Sequence, residues 1–369
     1  MAPCLKTLGG YLEQVNQSGW YTNFGPLHQK LTHRLEEYLG VKNLLLVSNG
    51  TLALHVAYRA LNIKKAICTP FSFAATASSL AWEKIPFSFV DIDSESLNLS
   101  PSLVANALEK SNDIDSIVAT HVYGNSCDVE AFEKIQNETN VKVIYDASHA
   151  FGVNYAEQSV LNYGDASTLS FHATKVFHTI EGGAVVFREK EAYDRAKKLI
   201  NFGLNVDGKP TEVGINAKLN EYQAAVGLTL LDAIDEILEY RSELFELYRQ
   251  SLGGYVGLPV WSDKSSVNGA YLPIMLEDEA EKKSNLELNI QQVSNDTYLK
   301  VYDVDTTIVS KNLSVLENVI DYSYNNKDFN FSLAPSVYEK TNREGNSRYE
   351  YLLPSTLEKN IISDDKYGL

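Results

Sequence analysis

The chain has 369 residues, more than one hydrophobic core usually serves, so two domains are expected. Its composition, 44% hydrophobic and 22% charged, is that of an ordinary globular protein, and no window approaches the ~18 uninterrupted apolar residues that span a bilayer. A formal charge of -16 argues against a nucleic-acid surface, although one phosphorylated small ligand can still be held by backbone N–H groups at a helix start.

Residues Met1 to Gly10 contain a single Lys and no long apolar run, so no secretory signal is expected. Cys4, Cys68 and Cys127 are too scattered for a disulfide framework or a metal site; the expected setting is reducing and cytoplasmic, without a metal or a membrane. Lys42 to Val47 reads as a strand, followed by SNGT and a helix from Leu52 to about Leu61. Further strands are expected at Ala66 to Cys68, Phe87 to Asp91, Ile117 to His121 and Lys142 to Asp146. Ser167 to Phe171 and Ala184 to Phe187 flank a segment that carries Lys175. Short apolar runs alternating with helical patterns predict an α/β domain with a mainly parallel sheet flanked by helices. From Glu221 to about Leu252 apolar residues recur at helical spacing, which predicts one long helix joining two domains. The boundary is placed near residue 250, giving a large domain over 1–250 and a smaller one over 251–369.

Three features carry chemistry. Lys175, in SFHATKVFHTIEGG, follows a strand and precedes a Gly-Gly turn. A lone Lys is ordinarily a solvated charge, whereas a desolvated one can attack a carbonyl as the neutral amine. Asp146 ends KVIYD at the strand edge where open α/β sheets bind ligands. It is either a turn cap or the partner of a protonated pyridine nitrogen, the pairing that keeps a cofactor ring an electron sink. Ser48-Asn49-Gly50-Thr51 runs from a strand into a helix, which suits a phosphate and also suits plain capping.

The order of SNGTLALHVAYRAL, TPFSFAATASS, FVDIDSESLNL, HVYGNSCDVEAFEKI, VIYDASHAFG, SFHATKVFHTIEGGAV and GINAKLNEYQAAVGLTLLDAIDEI resembles the DegT/DnrJ/StrS sugar-nucleotide aminotransferases, fold-type I pyridoxal-phosphate (PLP) enzymes. WYTNFGPL and FHATKVFHTIEGG resemble the VioA-like branch, which aminates C4 of a nucleotide-linked 4-keto-6-deoxyglucose. The resemblance implies that Lys175 is the Schiff-base lysine and Asp146 the pyridine-nitrogen partner. It implies that Gly50, Thr51 and Ser170 hold the cofactor phosphate, that Phe73 stacks on the ring, and that His149 lies near the ring hydroxyl. Asn216 in GINAK would reach the cofactor phosphate of a neighbouring subunit, making a homodimer with shared sites. Asn23 and His178 are the candidates for the sugar-nucleotide side. Core packing for Phe73, and plain loop roles for His172 and His178, stay open.

The implied reaction takes an amino group from glutamate and delivers it to C4 of a dTDP- or UDP-linked 4-keto-6-deoxyglucose, giving a 4-amino-4,6-dideoxyhexose nucleotide. The alternatives are C3 amination, a PLP-dependent sugar dehydratase, against which Lys175 argues because those relatives carry His there, and a non-catalytic binder. VNGAYLPIMLED and SRYEYLLPSTLEKN resemble pieces of a small α+β C-terminal domain, while residues 279–369 otherwise depart from the family pattern.

Overall fold

The computed structural model describes residues 2–254 and 256–275, together with the backbone of two strands at 336–341 and 347–352. The chain divides into two compact units, Met1–Glu277 and Asp278–Leu369. In the first unit the opening helices α1 (Leu5–Ser18) and α2 (Pro26–Leu39) precede strand β1 (Leu44–Val47). Helix α3 (Gly50–Ala60), strand β2 (Ala66–Cys68), helix α4 (Ala74–Trp82), strand β3 (Phe87–Phe89) and helix α5 (Pro101–Glu109) follow. Next come β4 (Ser116–Thr120), α6 (Val129–Thr139), β5 (Lys142–Asp146), and a short hairpin of β6 (Asn154–Tyr155) and β7 (Gln158–Ser159). The unit continues with β8 (Ala166–Ser170), β9 (Gly183–Phe187), α7 (Lys190–Leu199), α8 (Glu221–Leu231) and α9 (Ile234–Leu252).

Seven strands form one sheet in the order β1-β9-β8-β5-β4-β2-β3. The pairs β8·β5, β5·β4, β4·β2 and β2·β3 are parallel; only β9 runs against its two neighbours. This is the mainly parallel sheet that the alternating pattern predicts. The strands are apolar on both faces because both are covered. Leu44 and Leu46 join one core with α1, α2, α5, α6 and α8, while Leu45 and Val47 join the other with α3, α4 and α7. The same period of two sends Ile117 and Ala119 one way and Val118 the other.

The single long helix expected from Glu221 onward is two helices, broken at Asp232-Ala233. Ala233 leaves helical geometry at φ -123°, ψ 13°. The carboxylate of Asp232 accepts hydrogen bonds from Tyr11 (3.0 Å) and Arg34 (2.6 Å), which ties the break to α1 and α2. Past α9 the chain returns to the first unit rather than leaving it near residue 250. Val260 N–H donates to Glu95 O (2.8 Å), and the buried Asn268 amide donates to His149 O (2.8 Å) and Phe151 O (2.9 Å). The first strand resemblance, VNGAYLPIMLED, is thus in part a segment of this unit.

In the second unit, β10 (Ser336–Thr341) and β11 (Ser347–Leu352) pair antiparallel with Ser336 opposite Leu352. The remainder of the expected α+β domain lies outside the described residues. Among the described residues no helix is long and apolar enough to cross a membrane, and no cluster of His, Cys, Asp and Glu is placed to hold a metal.

Candidate active site

Strand register assembles the site at one edge of the sheet. Val47, Gly183 and Ser170 lie side by side at the ends of β1, β9 and β8. Thr120 pairs with Asp146, and Asp146 with Thr168. Loops leaving the carboxyl ends of parallel strands make the binding crevice of such sheets.

Asp146 is 3% exposed, and both carboxylate oxygens are engaged. Oδ1 accepts from the Ser148 hydroxyl (2.6 Å) and backbone N–H (3.2 Å), while Oδ2 accepts from the Thr76 hydroxyl (2.7 Å). The Ser148 bonds are a turn motif, as the capping alternative foresaw. The Thr76 bond crosses from α4 and fixes the carboxylate plane from outside the turn.

Lys175 stands at the tip of a loop stitched at its base. Phe171 N–H donates to Gly182 O (2.8 Å), Thr179 N–H to Phe171 O (2.9 Å) and Ala173 N–H to Ile180 O (2.7 Å). Phe171 and Phe177 are fully buried and pack edge to face, and Phe151 stacks on Phe177 at 4.6 Å. This aromatic anchor holds the loop down while Lys175 N–H turns back to His172 O (2.9 Å). Lys175 is half-buried and lines a cleft with Ser148, His149, Phe151 and Tyr271. His149 packs against Tyr271 with ring centroids 4.6 Å apart and stacks with Tyr123 at 6.2 Å.

The SNGT segment forms a helix start. Asn49 is the N-cap of α3 and accepts from Leu52 N–H (2.8 Å), which leaves the N–H groups of Gly50 and Thr51 facing out of the first turn. A Cβ on Gly50 would fall 2.8 Å from Ser170 Cβ and 3.2 Å from Ser170 Cα. Glycine here lets the helix start meet the end of β8, the close approach that a phosphate cradle requires. The donors at this helix start and the fixed carboxylate of Asp146 suit the two polar ends of PLP, with an amine, Lys175, on the same sheet edge.

The other expected residues fall in three places. Phe73 is the N-cap of α4 and 66% exposed, so it is not core packing. Asn216 and Asn23 line a second, open cleft with Tyr21, Lys218 and Tyr222, and burial lowers the pKa of Lys218. His178 is buried, with Nδ1 accepting Ile180 N–H at 3.3 Å. His172 bonds Thr174 Oγ1 (2.9 Å) and approaches Glu181 at 3.6 Å, as a polar loop residue does. Sequence reading overlooked Thr76, Ser148 and Tyr271. Ser148 carried a signal, since a hydroxyl two residues after a strand-end Asp is a common turn partner; Thr76 and Tyr271 gave none locally.

The sequence profile of the DegT/DnrJ/EryC1/StrS aminotransferases matches residues 6–310. The chain is 42% identical over 280 residues to the dTDP-4-amino-4,6-dideoxy-D-glucose transaminase of Shigella dysenteriae, a match covering 75% of this chain and 76% of that one. It is 35% identical over 272 residues to the transaminase of the same name from Escherichia coli, covering 73% of each. Among solved structures, that of DesI with its TDP-sugar product superposes with a TM-score of 0.70 at 31% identity, over 76% of this chain and 72% of that one. With the sheet edge, the lysine loop and the helix-start cradle in place, the chain belongs to the DegT/DnrJ/EryC1/StrS aminotransferase family and is a PLP-dependent sugar aminotransferase.

Proposed function

We propose that the chain transfers the amino group of glutamate to C4 of a dTDP- or UDP-linked 4-keto-6-deoxyglucose, giving a viosamine-type 4-amino sugar nucleotide for glycan or O-antigen assembly. The observation that carries the reading is the placement of Lys175 and a doubly anchored Asp146 on one sheet edge, in a chain similar over about three quarters of its length to two 4-amino-4,6-dideoxyglucose transaminases.

Bound PLP supplies an electron sink conjugated to the substrate amine. Around it the chain's own residues divide the work. Gly50 and Thr51 offer backbone N–H groups at the positive end of α3 to the phosphate, and Ser170 adds its hydroxyl. Asp146 Oδ2 keeps a proton on the ring nitrogen. Phe73 would cover one face of the ring, and His149 would meet its hydroxyl. Lys175 Nζ holds the cofactor and then carries a proton between the two carbons whose oxidation states exchange. Asn23, from the open cleft, would meet the sugar nucleotide, and the buried His178 would support that side from within the lysine loop. Phe151 and Tyr271 line the cleft beside Lys175, where their rings would limit water.

Asn216 serves the neighbouring subunit's phosphate in a homodimer. Phe202, Val206, Val213 and Ile215, all exposed on the loop that carries Asn216, are the apolar surface such a partner would cover. All three cysteines are free thiols, in keeping with a cytoplasmic enzyme. The test is incubation with glutamate and a panel of 3-keto and 4-keto deoxysugar nucleotides, with the product identified by NMR. Amination at C4 is the expected result; amination at C3, or none with any member, overturns the assignment.

A further inference from the structure

Asp146 sits at the end of a chain of hydroxyl groups that its own turn does not explain. Thr76 Oγ1 lies 2.7 Å from Asp146 Oδ2, Ser72 Oγ 2.6 Å from Thr76 Oγ1, and Thr120 Oγ1 3.0 Å from Ser72 Oγ. Each hydroxyl has one proton, and an ionised carboxylate only accepts. The direction of every bond therefore follows from the last one. Thr76 donates to Asp146, so Thr76 accepts from Ser72, and Ser72 in turn accepts from Thr120. Thr76 is fully buried and Thr120 is 8% exposed, so water is a poor substitute at either end of this line, while Ser72 between them is half-buried. The other oxygen is held by Ser148 through a bond to each of two donors.

We propose that Thr76 is a positioning residue for the cofactor ring, acting through Asp146 with its hydroxyl oriented by Ser72 and Thr120. Two anchors, one per oxygen, stop the carboxylate from turning about its Cβ–Cγ bond and leave Oδ2 with one acceptor direction for the ring N–H. Without Thr76 the carboxylate is held only from its own turn. The charge-assisted bond from the ring N–H to Oδ2 is then less well directed, and weakening one such bond is worth about tenfold in an equilibrium. The inference rests on Asp146 being the ring-nitrogen partner, so the test separates the two ideas.

The experiment measures equilibrium binding of two ligands to the full chain freed of cofactor: pyridoxamine phosphate, and its analogue with C–H in place of the ring nitrogen. Thr76→Val keeps the volume and removes the hydroxyl. It should weaken pyridoxamine phosphate about tenfold and leave the analogue unchanged, and Thr76→Ser should restore binding. Equal weakening of both ligands makes Thr76 a packing residue and overturns the proposal, as does no change in either. Asp146→Asn reports on the underlying reading: if it does not discriminate between the ligands, Asp146 is not the ring partner, whatever Thr76 does. Should Thr76→Val not fold, Ser72→Ala decides, because it leaves Thr76 in place but releases its direction. The same selectivity at smaller amplitude supports the chain of hydroxyls, and loss of selectivity sinks it.

Discussion

The carboxylate of Glu221 accepts the backbone N–H of His28 at 2.7 Å, joining residues 193 positions apart, and its second oxygen takes the N–H of Leu27 at 2.8 Å. Glu221 is completely buried. It opens α8 and at the same time caps the start of α2, where Gly25 and Pro26 provide no side-chain acceptor. Gly25 is needed at this contact, because a Cβ there would lie 2.6 Å from the Glu221 carboxyl carbon.

Replacing Glu221 with Ala strands two buried N–H donors and should cost about 3 kcal/mol of stability. The shift of the urea midpoint measures it. Glu221→Gln keeps one acceptor oxygen and should lose less; equal losses would show that the hydrogen bonds matter less than the packing of the side chain.

Two buried histidines make stability fall in mild acid. Burial lowers the His28 pKa from 6.5 to about 4, and that of His121 from 6.5 to about 3. His121 stacks on Tyr145 at 4.6 Å, and its Nδ1 accepts Cys127 N–H (3.0 Å), a bond that requires the neutral ring. In both cases the unfolded chain takes up the proton first. The stabilisation is complete above about pH 6.5 and is lost as pH drops toward the folded pKa values. Between pH 6.5 and 5 the two together should cost about 3 kcal/mol, each slope rising toward about 1.4 kcal/mol per pH unit as the unfolded imidazole becomes fully protonated. Urea titrations at a series of pH values test this; a flat profile over that range contradicts it, and His28→Leu should halve the slope.

Much of this could be seen in the sequence, for local reasons. KVIYD spans β5 at both ends because a buried parallel strand is an unbroken apolar run closed by a polar residue. SNGT was legible because capping and close approach demand those residue types. The break at Asp232 was not, since helical spacing continues across it and the cause lies in Tyr11 and Arg34, far away in sequence. Thr76 was hidden likewise: within AATASS it is one helical hydroxyl among several, and its task exists only once α4 is laid against β5. Glu221 gave no local sign of its burial, since its task exists only once α8 meets the start of α2.

Gly50 tests the cradle. Ala at this position places a methyl group 2.8 Å from Ser170 Cβ and 3.2 Å from its Cα, so the helix start must move away from β8. Gly50→Ala should lower affinity for PLP at least about tenfold, a loss comparable to one charge-assisted hydrogen bond. Titration of the visible cofactor band onto cofactor-free chain gives the number. Unchanged affinity would mean that the phosphate is held elsewhere.

Asn216 tests the sharing of sites between subunits. It is exposed, and the loop that bears it is closed by a backbone bridge between Asn201 and Asn216, so the side chain is presented from a fixed base. A site that borrows a residue from its neighbour needs an isologous dimer, since each subunit lends the same patch. Cofactor that fits only the assembled site should then tighten the dimer, and sedimentation with and without PLP would show it. The sharper measurement mixes chains carrying Lys175→Ala with chains carrying Asn216→Ala. In a mixed dimer one site has lost both residues and the other has lost neither. Random pairing makes about half the dimers mixed, so activity should recover to about a quarter of the unaltered enzyme, above either parent. No recovery among demonstrated mixed dimers of two impaired parents, or full activity in a monomer, would place Asn216 outside the neighbour's site.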